Sequence, residues 1–137
     1  MNNLTHKTMS PEVYQLRRRV IALIYEAQKL IPSLPRIMVR ITENDPKILA
    51  LATYNKNYIE ISERAITCSD LDLRTIVYHE LVHTVFGIGH IEQCPLMRPV
   101  HQPLSKEEAQ RLFLYYAQKS IPQKKRIIRS VSLGSIR

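Results

Sequence analysis

His79 and His83, four positions apart with Glu80 directly after the first, are the residues of this chain whose types and spacing can do chemistry. On a helix, positions i and i+4 lie one above the other, so both imidazoles can turn toward one ion. Glu80 then stands beside the metal rather than on it. A zinc ion with three protein ligands keeps a fourth position open for water, whose pKa falls from 15.7 to about 7. Glu80 would take that water's proton as it attacks a carbonyl and pass it to the leaving amine. The expected chemistry is zinc-dependent peptide-bond hydrolysis with Glu80 as base.

The elements around the motif are those such a site needs. Leu71 to Tyr78 contain no Pro or Gly, and Val77, Leu81 and Val85 form an apolar row that can be buried while the histidines face the other way. Ser69 followed by Asp72 is a capping-box start. The plainer alternative makes His79 and His83 partly buried core residues of an amphipathic helix. It gives no purpose to the intervening Glu80 or to the Gly-rich exit Gly87-Ile88-Gly89.

From His79 to Pro99 the chain resembles the metzincin clan of zinc peptidases, particularly its matrixin and archaemetzincin branches. Their pattern is H-E-x-x-H-x-x-G-x-x-H followed by a methionine-containing turn beneath the metal. In the family the glycine lets the chain leave the helix and bring a third histidine round. The stretch Gly87-Ile88-Gly89-His90 preserves that half of the pattern and implies His90 as third ligand. Cys94-Pro95-Leu96-Met97-Arg98-Pro99 is similar to the Met-turn and implies Met97 as its methionine. One extra residue lies between His83 and Gly87, and on an α-helix it rotates the downstream chain by about 100°. The segment from His90 to Met97 is one residue shorter than the matrixin pattern, and Arg98 stands where many members carry a tyrosine that stabilises the oxyanion.

Other side chains compete for the third position. Glu107 and Glu108 follow Ser105 in an arrangement better read as a helix cap. Cys94 would bind zinc as a thiolate, as a fourth ligand or a regulatory thiol, but also fits as a small buried hydrophobe. Glu92 is a further rival, and His101 is read as a loop or substrate-side residue. His6 lies in a polar N-terminal segment.

Composition sets the bounds. A chain of 137 residues with 45% apolar content fits one domain with a sizeable core. No apolar run approaches the roughly 18 residues of a membrane span, and Met1 to Ser10 lack the apolar core of a signal peptide, so a cytoplasmic setting is expected. Cys68 and Cys94 are expected as reduced thiols. The net charge of +8 concentrates in Arg17-Arg18-Arg19 and around Lys124-Lys125-Arg126. Residues 121–137 read as a flexible basic tail behind a catalytic domain of residues 1–120, a candidate contact for nucleic acid or another acidic partner.

Ser10-Pro11 opens a helix whose apolar spacing from Val13 to Leu30 ends before Pro32. Arg36 to Ile41 alternates as a strand closed by Asn44-Asp45-Pro46. Ile48 to Tyr54 and Tyr58 to Ile61 flank Asn55-Lys56-Asn57 as a hairpin. A last helix spans about Lys106 to Lys119. The expected class is α+β: N-terminal helix, small three- or four-stranded twisted sheet, zinc helix, Met-turn and C-terminal helix. By the family resemblance, Tyr58 to Ile61 or its neighbour supplies an edge strand for an extended polypeptide substrate. A contrasting reading is a silent metzincin-like module that binds nucleic acid or protein around a structural zinc. A third is a SprT-like zinc protease acting on DNA-attached proteins.

Overall fold

Ser10 caps the first helix as its type suggests. Its backbone is extended, and its hydroxyl accepts the N–H of Val13 at 3.1 Å, with Pro11 next at the position that needs no donor. This helix, α1 (Pro11–Leu30), buries Leu16, Val20, Ile24 and Ala27, spaced to form one face. The computed structural model of the chain describes residues 10–43, 49–100 and 102–132, with side chains as far as residue 120. The class is α+β, with three helices and one small mixed sheet among the described residues.

The sheet comprises β1 (Met38–Thr42), β2 (Ala50–Thr53) and β3 (Tyr58–Ser62) in the order β1-β3-β2. β1 runs parallel to β3, with Met38 opposite Tyr58, while β2 and β3 form the expected antiparallel hairpin. Asn55 and Asn57 both take positive φ in its turn, a conformation asparagine tolerates well. The stretch Tyr58–Ile61 is therefore the middle of the sheet, and its neighbour β2 is an edge. Ile59 and Ile61 explain the central place, because both are fully buried while Tyr58 and Glu60 point to the other face. The segment 44–48, which contains the expected Asn44-Asp45-Pro46 close, lies outside the described residues.

A single 3₁₀ turn (Glu63–Thr67) leads to α2 (Asp70–Leu81), capped by Ser69, whose hydroxyl accepts the Asp72 N–H at 3.1 Å. The expected amphipathic pattern gives way here. From Thr75 to Thr84 every residue is buried, on both faces of the helix. The cause is position, since α2 lies in contact with α1, α3 and the edge strand β2. Arg74 of α2 donates from Nε to Glu26 of α1 at 2.9 Å, and the Tyr78 hydroxyl donates to the same carboxylate. Burial alone would raise the Glu26 pKa, but these donors and the Arg74 charge outweigh it and hold the carboxyl below its ordinary range.

The closing helix, α3 (Lys106–Ser132), starts as expected, with Ser105 accepting the Glu108 N–H at 3.1 Å. Phe113 is fully buried and meets Tyr78 at a ring distance of 5.0 Å. The backbone stays helical past Lys119 as far as Ser132, so much of the stretch read as a tail continues α3. Lys, Arg and Gln there favour a helix, while Pro122, within the same run, works against one through its missing N–H and its ring. Among the described residues, no helix is long and apolar enough to cross a membrane.

Candidate metal centre

His79 lies in the last turn of α2 and His83 in the next turn, Val82–Phe86, which is π-helical. A π turn closes its hydrogen bonds over one residue more than an α turn. It takes up the extra residue between His83 and Gly87, whose rotation would otherwise carry the chain past the site. Gly87 then breaks the helix at φ +69° and ψ 26°, its N–H bonded to His83 O at 3.1 Å. A Cβ there would lie 2.7 Å from Asn55 Oδ1, the end of an exposed side chain that can turn aside, so it is the backbone that calls for glycine.

The sharp exit returns His90 to the first two histidines. Its ring centroid stands 5.2 Å from that of His79 and 4.9 Å from that of His83. The ligand nitrogens of all three lie within 4.8 Å of one another, close enough to hold one metal ion. His79 and His83 are buried, whereas His90 is exposed at the rim.

The hydrogen bonds decide which nitrogens face inward. His79 Nδ1 lies 2.6 Å from Leu96 O, and His83 Nδ1 lies 2.6 Å from Ile88 O. A carbonyl oxygen only accepts, so both Nδ1 atoms carry their protons and, in the neutral rings, both Nε2 atoms present lone pairs. Those Nε2 atoms face each other at 3.1 Å. Two facing lone pairs repel unless a cation lies between them. The separation is close to the roughly 3.3 Å between nitrogens of a tetrahedral site with metal–nitrogen bonds of about 2.0–2.1 Å. Burial also lowers the His83 pKa, favouring the neutral ring that binds metal, with the nearby His90 acting the same way against the Ile88 carbonyl.

Glu80 stands outside this nitrogen group and lines the cleft beside it. Burial pushes its carboxyl up to about 8, and a cation nearby would bring it down again. The cleft measures ≈ 540 Å³ and is lined by the whole of β2, Tyr54, Glu80, His83 and His90.

The rival ligands fall elsewhere. Cys94 is buried against the Tyr116 hydroxyl of α3, as the small-hydrophobe reading expected, and both cysteines are free thiols. Glu92 is exposed, and Glu108 is held by Arg111 at 2.7 Å. His6 and His101 lie outside the described residues. Met97 is fully buried, its carbonyl accepting the Ile91 N–H at 2.9 Å, which ties the turn to the residue after His90.

Two supports had no signal in the sequence. Leu96 and Ile88 act through backbone carbonyls, which composition does not reveal. Thr84, directly after His83, accepts the Tyr58 N–H at 2.8 Å and donates to Thr53 O at 2.7 Å, pinning both strands of the hairpin to the π turn. The arginine run is also engaged differently from its expected basic patch. Arg17 donates to Val39 O at 3.0 Å and Arg19 to Cys68 O at 2.9 Å, leaving Arg18 exposed over the Tyr14 ring. Compared with known family models, curated proteins and solved structures, the chain matches none.

Proposed function

We propose that the chain is a zinc-dependent endopeptidase of metzincin-like construction, with His79, His83 and His90 as ligands and Glu80 as general base. The observation that carries this reading is the division of labour in the cleft. Three imidazoles converge on one point, while a buried carboxylate outside that group lines the open side. A divalent ion held there supplies Lewis-acid polarisation and makes a water acidic enough to be deprotonated near neutral pH.

The remaining work belongs to the chain. Glu80 accepts a proton from the attacking water and returns it to the amine nitrogen as the carbon–nitrogen bond breaks, giving acid and amine. The β2 edge lies along the cleft and offers backbone donors and acceptors to an extended polypeptide. Three imidazoles suit zinc, the Irving–Williams order allows copper or nickel to bind as well, and the 3.1 Å between the His79 and His83 Nε2 atoms fits a tetrahedral site. Met97 takes the place of the turn methionine.

A purely structural zinc is normally closed by four side chains. Among the described residues, the cysteine that would close it is engaged with Tyr116. With two arginines of the basic run engaged in the fold, nucleic acid is the weaker choice of partner, and polypeptide the stronger. The Glu80→Gln variant tests the reading. Cleavage of unfolded protein should fall by at least about 10²-fold, while zinc content and melting temperature stay near wild type. Equal cleavage by the variant and wild type would refute the assignment.

A further inference from the structure

Attack on a peptide carbonyl moves negative charge onto its oxygen, and a cleft that accelerates the step needs a donor already aimed at it. The imidazole N–H of His83 is committed to Ile88 O. Arg98, where the family resemblance expects a tyrosine, is absent from the cleft lining and reaches Gln102 at 3.5 Å. Two hydroxyls remain in the lining, those of Thr53 and Tyr54.

Tyr54 is the better placed. It comes directly after β2 and precedes Asn55, whose positive φ turns the chain, so it stands where the edge strand ends over the histidines. Its ring centroid lies 5.3 Å from that of His83, tilted by 36°, while half of the residue is exposed. Its hydroxyl lies 3.4 Å from where a Cβ on Gly89 would stand, which brings it over the residue preceding His90. Packing against His83 holds the ring, and half of the residue stays open on the cleft it lines. We propose that Tyr54 is the oxyanion donor of this cleft, its phenol hydrogen-bonding the carbonyl oxygen of a bound peptide as charge develops there. The assignment rests on the hydrolytic reading above. The phenol keeps its proton throughout, and Glu80 alone carries the proton from water to amine.

The test is Tyr54→Phe, which keeps the ring against His83 and removes only the hydroxyl. With zinc bound, kcat should fall by about 10²-fold while KM changes by less than about threefold. A kcat within about twofold of wild type, or a rise in KM alone, would overturn the assignment. A second readout needs no turnover. A phosphinic alanine peptide, carrying a tetrahedral anionic centre, should bind Tyr54→Phe about 10²-fold more weakly than wild type, with the parent peptide unaffected. Equal Kd values for the phosphinic peptide, or no binding to wild type, would also overturn it. If zinc-loaded wild type cleaves nothing, the hydrolytic reading fails and the assignment of Tyr54 falls with it, whereas a wild type that cleaves and a Tyr54→Phe that matches it overturn the Tyr54 assignment alone. Zinc affinity and melting temperature should match in both proteins.

Discussion

Replacing Gly87 by alanine strikes the hinge between His83 and His90, and its cost can be worked from two separate features. At φ +69° an alanine incurs the left-handed penalty of about 1–2 kcal/mol. Its Cβ would also stand 2.7 Å from Asn55 Oδ1 and 2.8 Å from Asn55 Nδ2, the end of an exposed side chain that turns aside at a cost of at most about 1 kcal/mol. Urea denaturation of the metal-free protein should therefore show a loss of about 1–3 kcal/mol. Asn55→Gly separates the two parts, because residue 55 sits at φ 60°, which glycine adopts freely. In the double variant only the dihedral penalty remains, giving a coupling of at most about 1 kcal/mol. Where the loop yields instead, His90 swings from the cluster and zinc affinity drops tenfold for each 1.4 kcal/mol of that strain. A Gly87→Ala protein within about 0.5 kcal/mol of wild type, with unchanged zinc affinity, would refute the reasoning. A double variant less stable than Gly87→Ala alone would contradict the contact with Asn55.

Thr84→Val should cost about 1–3 kcal/mol in the same denaturation assay, since it strands the Tyr58 N–H and the Thr53 carbonyl, and Thr84→Ser should restore most of the loss. Glu26→Gln should cost about 1.5–3 kcal/mol at pH 7 by weakening the bonds from Arg74 and Tyr78. Because the folded Glu26 carboxyl titrates below its ordinary 4.5, its contribution is present above that pH and is lost as pH falls through the folded value. Melting temperatures measured from pH 6 down to about pH 3 should then decline more for wild type than for Glu26→Gln. Parallel declines would remove Glu26 from the acid response.

The caps and apolar periods made the helix starts legible, because Ser10, Ser69 and Ser105 each announce a helix in a purely local way. The hairpin was equally local, resting on Asn55 and Asn57. Strand order was not, since pairing β1 with β3 across the intervening β2 depends on what the inner faces bury. Which arm of the hairpin forms the edge was likewise a non-local matter. β2 took the edge and Tyr58–Ile61 the centre through the burial of Ile59 and Ile61, and the helical backbone of α3 runs past Lys119 in spite of Pro122, which residue types alone do not foretell.

At the site, the motif residues were visible as types, but their geometry was not. The single residue in excess between His83 and Gly87 would misdirect His90 on a regular α-helix. A π turn resolves that conflict, and such a turn leaves no mark in residue types. The tautomers of His79 and His83 are set by Leu96 and Ile88 carbonyls, groups every residue carries. Tyr54 was hidden for the same reason. Its distance from His83 in sequence says nothing, and only the hairpin clamped by Thr84 brings it over the cleft.

The most direct measurement is X-ray absorption on zinc-loaded protein prepared without a metal-affinity tag, compared with the His90→Ala variant. Wild type should bind zinc with three nitrogen ligands and oxygen completing the shell, all at about 2.0–2.1 Å, and His90→Ala should lose one nitrogen and bind far more weakly. A sulfur at about 2.3 Å would draw Cys94 into the site and contradict an open hydrolytic centre, as would a protein that binds no zinc.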